Sequence, residues 1–243
     1  MFKKSALIKI EDRDTFLWNK SKFENIKNIN IDLKNRNLYL VVEGERVYIK
    51  LLSIPKVSKE KLYKIIEYQL KYYFTDMEEI LFDYYVCKKL KKSYDVLVFC
   101  INSRKLNRLQ GLIKEKNKLK LVNLIQFVIL DHVKNYINDA QYTLIFMNKD
   151  NLYIMVIKNQ ILIENSIIKD FNGDSEEFFL EFNPIVENQC LDHEKCSIYT
   201  LWFPYKDILE ELDKNYRLTL LNYSEEIIME SFIKDGKCKI CIK

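Results

Sequence analysis

Glycine is scarce in this chain of 243 residues: Gly44, Gly111, Gly173 and Gly236 are all there are. At the usual frequency of about 7%, a chain this long carries roughly four times as many. Glycine lets a backbone turn tightly and come close to a phosphate. The shortage argues against P-loop, Rossmann and actin-type nucleotide sites. Histidine is scarcer still, with only His132 and His193, which argues against a His-rich metal enzyme. Long apolar runs are missing as well. The most apolar stretch, Leu121 to Leu130, is broken by Asn123 and Gln126, whereas a spanning helix needs about 20 apolar residues. The first apolar stretch stops at Glu11 and Asp12, too short for a secretory h-region. The expectation is a chain that neither spans nor crosses a membrane by itself. Six cysteines without an export signal point to reduced thiols in a cytoplasm. No repeat, low-complexity tract or Ser/Gly/Pro-rich linker divides the sequence.

What is present is core material: 48% of residues are hydrophobic and 13% aromatic, against 30% charged. That composition excludes a wholly disordered chain. The net charge of +4 is weak for a nucleic-acid binder, which needs one concentrated basic face. The basic runs Lys88-Lys89 and Lys91-Lys92 read as a solvated turn.

The order of elements carries more. Leu38 to Val42 is a strand run, Glu43-Gly44-Glu45 a turn, and Val47 to Leu52 the return strand, ended by Pro55. Ser58 is placed to cap a helix with Leu62, Ile65, Ile66, Gln69, Leu70 and Tyr73 on one face. Strands follow at Ile80 to Cys87 and Tyr94 to Ile101, then a helix capped by Ser103 and bearing Leu106, Leu109 and Ile113. A short strand, Leu119 to Val122, leads into a very apolar helix at about Leu124 to Ile137. The second half opens with a meander, Tyr142 to Met147, Leu152 to Ile157 and Ile161 to Ile168, and a helical region near Ser175 to Gln189. It closes as strand Ser197 to Trp202, helix Lys206 to Lys214, strand Arg217 to Leu221, helix Ser224 to Lys234 and strand Lys237 to Ile242. Strands alternating with helices imply an α/β sheet covered by helices.

The stretch LLSIPKVSKEKLYKIIEYQLKYYFTDMEEILFDYYV, followed by VLVFCINSRKLNRLQGLIKEK, resembles the small β-α-β-β lobe of the PilM and GspL group, relatives of FtsA. The likeness runs roughly from Leu38 to Ile168. It implies a shortened actin-like, ribonuclease H-like fold. The first half would cover residues 1–140, with the lobe inserted at about 46–117, and the second half residues 141–243. The missing length falls near Phe171 to Cys196, where the family has a second lobe. The resemblance also implies a role in type IV pilus, competence or type II secretion assembly. Its partners would be a bitopic inner-membrane protein of the PilN or GspM kind and the assembly ATPase. The location would be cytoplasmic, at the inner face of the cell membrane.

The family's nucleotide site departs in this sequence. Its meander carries an Asp, then a Gly, then a Thr that together cradle phosphate and help hold Mg²⁺. Those places are taken by Phe146, Asn148 and Leu152, and none can do that work. The later Gly-Gly turn becomes Trp202-Phe203-Pro204, and Met1 to Glu43 holds no glycine at all. The expectation is therefore a scaffold without enzymatic activity or cofactor. The alternatives are an actin-like protein with residual ATP binding and, ranked lowest, a nucleic-acid module.

Two further constellations stand out. Cys190, His193 and Cys196 with Cys238 and Cys241 could supply zinc ligands. However, KCKICIK alternates as a strand does, which sends Cys238 and Cys241 to opposite faces, so ordinary thiols and no metal are expected. His132 lies in the apolar helix and reads as a boundary histidine. Tyr68, Tyr72, Tyr73, Phe74, Phe82, Tyr84 and Tyr85 either pack the small lobe or line a groove for a partner peptide, with all but Tyr85 the candidates for partner contact.

Overall fold

A computed structural model describes residues 5–19, 21–28, 33–74, 76–109, 117–189 and 196–235. The chain divides into two compact units, residues 1–127 with 235–243, and residues 128–234.

The first unit is built on strands β1 (Ser5–Ile10), β2 (Thr15–Asn19), β3 (Lys22–Asn25), β4 (Asn37–Val42) and β8 (Lys118–Leu124), in the sheet order β3-β2-β1-β4-β8. β1, β2 and β3 form an antiparallel meander, while β4 runs parallel to both β1 and β8. Leu38, Leu40, Val41 and Val42 are all buried. Burial on both faces is what a central parallel strand requires, so β4 reads as a continuous apolar run.

Between β4 and β8 the chain makes a separate small lobe. Strands β5 (Tyr48–Pro55), β6 (Ile80–Lys89) and β7 (Ser93–Asn102) form an antiparallel sheet in the order β5-β7-β6, and helix α1 (Lys59–Leu70) covers one face. Leu62, Ile66 and Leu70 of α1 pack on Leu52, Ile54, Phe82, Val96, Val98 and Cys100. Their i, i+4, i+8 spacing puts them on one stripe of the helix. Ser58 holds the N-cap position, as its sequence context predicts, but its side chain makes no cap hydrogen bond. After β7 the structure has a 3-10 helix, Arg104–Leu109, in place of the start of the expected α-helix. Asn102 accepts the Arg104 N–H at 2.8 Å, and the Ser103 carbonyl accepts the Leu106 N–H at 2.8 Å. Ile113 lies outside the described residues, as does the expected strand Lys237 to Ile242.

Helix α2 (Ile125–Val133) is shorter than its apolar sequence predicts. The second unit then carries β9 (Gln141–Asn148), β10 (Asn151–Lys158), β11 (Ile161–Ile168), α3 (Ser175–Gln189), β12 (Ser197–Leu201), α4 (Lys206–Asn215), β13 (Arg217–Leu221) and α5 (Glu225–Asp235). Its sheet runs β11-β10-β9-β12-β13, an antiparallel meander followed by two parallel pairings. This is the strand order of the first unit repeated. The place that α4 holds between β12 and β13 is taken in the first unit by the inserted lobe. Among the described residues, α3 alone stands between β11 and β12. Asp174 starts it by accepting the Glu176 and Glu177 N–H groups at 2.8 and 3.2 Å. Gly173 just before it has φ +97, and a Cβ there would lie 2.3 Å from the Tyr205 ring. Glycine is required at that approach.

Among the described cysteines Cys87 and Cys100 are free thiols, as expected, whereas Cys196 is disulfide-bonded, which corrects the expectation at that residue. Among the described residues no helix is long and apolar enough to cross a membrane.

Candidate functional site

Because the two sheets share one strand order, the turn between the first two strands occurs twice, after β1 and after β9. These are the turns at which the resemblance leads one to look for a phosphate site.

The first is filled with its own charges. Lys9 of β1 is only 2% exposed, and its ammonium lies 3.5 Å from Glu11, 3.3 Å from Glu43 and 4.2 Å above the centre of the Phe23 ring. Glu43 is equally buried, at the end of β4, and its N–H donates to the Ile10 carbonyl at 2.9 Å. Lys105 pairs with Asp12 and with Glu45, the latter at 3.0 Å, and donates to the Glu43 carbonyl. Gly44 (φ +69) lets the chain pass beneath that ammonium, where a Cβ would stand 3.0 Å from Nζ. The rings of Phe16 and Phe23 cover its ammonium. Lysines that could meet a phosphate are already bound to carboxylates. An incoming anion would face those carboxylates at short range, an arrangement in which like charges disfavour each other.

The second turn is filled with rings and aliphatic carbon. Phe146 is fully buried and lies directly opposite Tyr153 across β9 and β10. Their ring centroids are 4.5 Å apart and their planes 7° from parallel. Leu152 is part of the core beneath α3 and α4, with Ile145, Phe178 and Ile208. Asn148 is buried at the end of β9, opposite Asn151. No acid or hydroxyl stands at these three positions to hold a metal-bound water or accept a magnesium ion.

The expected Gly-Gly turn after β12 keeps the backbone of glycine without the residue. Trp202 has φ +55, in the left-handed region. Its indole N–H donates to the Tyr223 carbonyl at 2.5 Å. Phe203 is buried against Phe178 and Tyr205, with centroids 5.9 and 5.5 Å away.

The aromatic residues of the lobe separate into core and surface. Phe82 is 5% exposed and stacks on Tyr63 at 4.7 Å, so of the two readings offered for it, it packs the lobe core. Phe74 and Tyr84 are half-buried against the same core. Burial and the neighbouring Asp83 carboxylate raise the Tyr84 phenol. Tyr68, Tyr72 and Tyr73 are exposed, Tyr72 at 72%. The Tyr72 hydroxyl donates to that of Tyr68 at 3.3 Å, which raises the Tyr72 phenol. Tyr85, of the same aromatic run, is exposed as well, and so are Tyr48 and Tyr63, which the sequence pattern does not mark. Tyr48 joins the first group, 5.2 Å from the Phe74 ring, and Lys50 lies 4.7 Å over Tyr73. Tyr85 aligns with Leu97 and Leu51 in one row on the sheet face away from α1. Strand alternation in FDYYV held that signal, since Tyr85 is out of phase with Phe82 and Tyr84.

His132 is nearly buried between the rings of Tyr136 and Tyr223, at 5.7 and 5.0 Å. Among the described residues no group of His, Cys, Asp and Glu could hold a metal. Cys190, His193, Cys238 and Cys241 lie outside them.

Two sheets of one strand order, with a lobe inserted into the first, define the actin-like ATPase fold. Solved structures agree on the fold across nearly the whole chain. A Bacteroides thetaiotaomicron protein with an actin-like ATPase fold and unknown function is 12% identical, with 96% of each chain covered and a TM-score of 0.56. The PilM-PilN type IV pilus biogenesis complex gives 10% identity, coverage of 93% of this chain and 94% of that one, and a TM-score of 0.60. The cytoplasmic domain of EpsL, an inner-membrane component of the type II secretion system of Vibrio cholerae, gives 9% identity, 94% coverage of each chain and a TM-score of 0.52. No family model matches the chain, and no curated protein does.

Proposed function

We propose that this chain is a non-catalytic scaffold of a type IV pilus, competence or type II secretion assembly machine. It works in the cytoplasm at the inner face of the cell membrane. It binds the cytoplasmic peptide of a bitopic inner-membrane protein of the PilN or GspM kind and links that protein to the assembly ATPase, which supplies the energy. The chain itself uses no cofactor. The observation that carries this reading is the fully buried Phe146–Tyr153 stack at the turn where an actin-like ATPase would hold phosphate. The fold shared with the PilM-PilN complex and the EpsL domain supports the setting. The exposed Tyr68, Tyr72 and Tyr73, flanked by half-buried Phe74 and Tyr84, are the proposed contact surface. Tyrosine gives broad amphipathic contact at low entropy cost.

Immobilised cytoplasmic tails of bitopic proteins encoded beside this gene test the proposal. One of them retains the native chain, and Tyr68→Ala with Tyr72→Ala weakens retention at least tenfold while leaving the melting temperature within a degree or two. Failure of every tail to retain the chain overturns the reading.

A further inference from the structure

The β6–β7 hairpin is the most concentrated basic feature among the described residues. Its sequence from Val86 to Tyr94, VCKKLKKSY, contains no acid. The Leu90 N–H donates to the Ser93 carbonyl at 2.9 Å and closes the turn over Lys91 and Lys92. A bulge between Val86 and Lys88 shifts the register so that Lys88 faces Asp95 and Lys89 faces Tyr94. Bulges twist a strand end and re-aim its side chains. The end of β5 adds a further cation: the Lys56 N–H donates to the Lys92 carbonyl at 3.0 Å, and its ammonium lies 5.9 Å over the Tyr94 ring. Lys56, Lys88, Lys89, Lys91 and Lys92 are all exposed. Among the described residues none of them pairs with a carboxylate, whereas Lys9, Lys27, Lys105, Lys134, Lys214 and Lys234 all do. At the apex between the two lysine pairs stands Leu90, an aliphatic side chain 36% exposed.

We propose that this hairpin tip docks on an anionic lipid bilayer, with the lysines on the headgroups and Leu90 entering the interface. The composition selects a bilayer over a nucleic acid. All five cations are lysines, which act as point charges; arginine forks, which read phosphate and base edges bidentately, are absent from the tip. No exposed ring stands at the apex on which a base could stack. Clustered lysines over an anionic leaflet each contribute about fivefold to binding, and an apolar apex adds to it. Attraction of this kind is local, because salt screens it beyond roughly 10 Å at 0.1 M. The inference goes beyond the scaffold reading and can fail without it.

Flotation of the full chain with vesicles tests it, with no other protein present. The chain floats with vesicles of phosphatidylcholine containing about a third phosphatidylglycerol and not with phosphatidylcholine alone, and about 0.5 M salt releases it. The variant Lys88→Gln, Lys89→Gln, Lys91→Gln, Lys92→Gln lowers the partition coefficient more than a hundredfold. A control with the same charge loss elsewhere, Lys118→Gln, Lys120→Gln, Lys158→Gln, Lys206→Gln, keeps most of the binding. Equal melting temperatures show that both variants are folded. Absence of flotation, equal losses in the two variants, or release by an equal charge concentration of duplex DNA would each overturn the proposal.

Discussion

Phe146 and Tyr153 face each other across β9 and β10 with their rings 4.5 Å apart and nearly parallel. Both are fully buried, so the pair is part of the second unit's core at the point where a nucleotide site would need polar groups. Phe146→Ala leaves a ring-sized void there and is expected to destabilise the chain by about 3–5 kcal/mol. Chemical denaturation measures it; a loss below about 1 kcal/mol would mean that the turn is loosely packed and open to ligand.

Nucleotide gives a second measurement. A ligand at about 100 times its dissociation constant stabilises by roughly 2.7 kcal/mol. In a chain of this size that raises the melting temperature by roughly 5–10 °C. Millimolar ATP with Mg²⁺ is expected to leave it unchanged. A rise of that size would restore the residual-ATPase alternative.

Trp202 inverts a familiar ranking. Glycine is normally the worse replacement, but here the backbone is left-handed at φ +55, which costs a residue with a Cβ about 1–2 kcal/mol. Both Trp202→Gly and Trp202→Ala lose the hydrogen bond from the indole to the Tyr223 carbonyl. Only the glycine variant also relieves the backbone. Trp202→Gly is therefore expected to be the more stable of the two by roughly 1 kcal/mol, read from paired denaturation curves.

Asp139 ties the bottom of the second sheet together. It accepts both contacts from Arg217, at 2.8 and 2.9 Å, and the Tyr199 hydroxyl at 2.7 Å. Burial pushes its carboxyl up, but bonds from Ser197, Tyr199 and Arg217 outweigh that and hold it below its ordinary 3.8. The folded value is depressed, so the associated stability is present above about pH 4 and is lost as pH falls through the folded value. Tyr199 behaves oppositely. Burial first, then its bond to Asp139, pushes its phenol up to about 12. That contribution is complete below about pH 10 and is lost as pH rises toward 12. Asp139→Asn is expected to cost about 1 kcal/mol at neutral pH, a modest figure because solvent screens the pair. The penalty should shrink in acid, and a tyrosine titration followed by absorbance should show one phenol shifted downward.

Most of the strands were legible because their apolar runs are long and bounded by polar turns: Tyr142 to Met147 and Leu152 to Ile157 lie within one or two residues of β9 and β10. The apolar character of the meander turn was legible too, and both Phe146 and Leu152 are buried there. Other features had no signal in a linear pattern. Lys9 sits in an alternating strand, and alternation says nothing about the Phe23 ring and two carboxylates that close over it. Alternation puts Phe82 and Tyr85 on opposite faces of their strand, but only the packing of Phe82 against α1 shows which of those faces is the core. The helix expected after Ser103 was read from apolar spacing, whereas Asn102 capping the Arg104 N–H starts a tighter 3-10 turn.

The repetition of one strand order in both sheets has a consequence for how the chain tolerates mutation. The same hairpin is packed by unlike chemistry in the two units, with paired ions around Lys9 in one and stacked rings at Phe146 in the other. A substitution that disturbs one leaves the other intact: loss of a carboxylate beside Lys9 strands a buried ion, whereas loss of the Phe146 ring leaves a hollow.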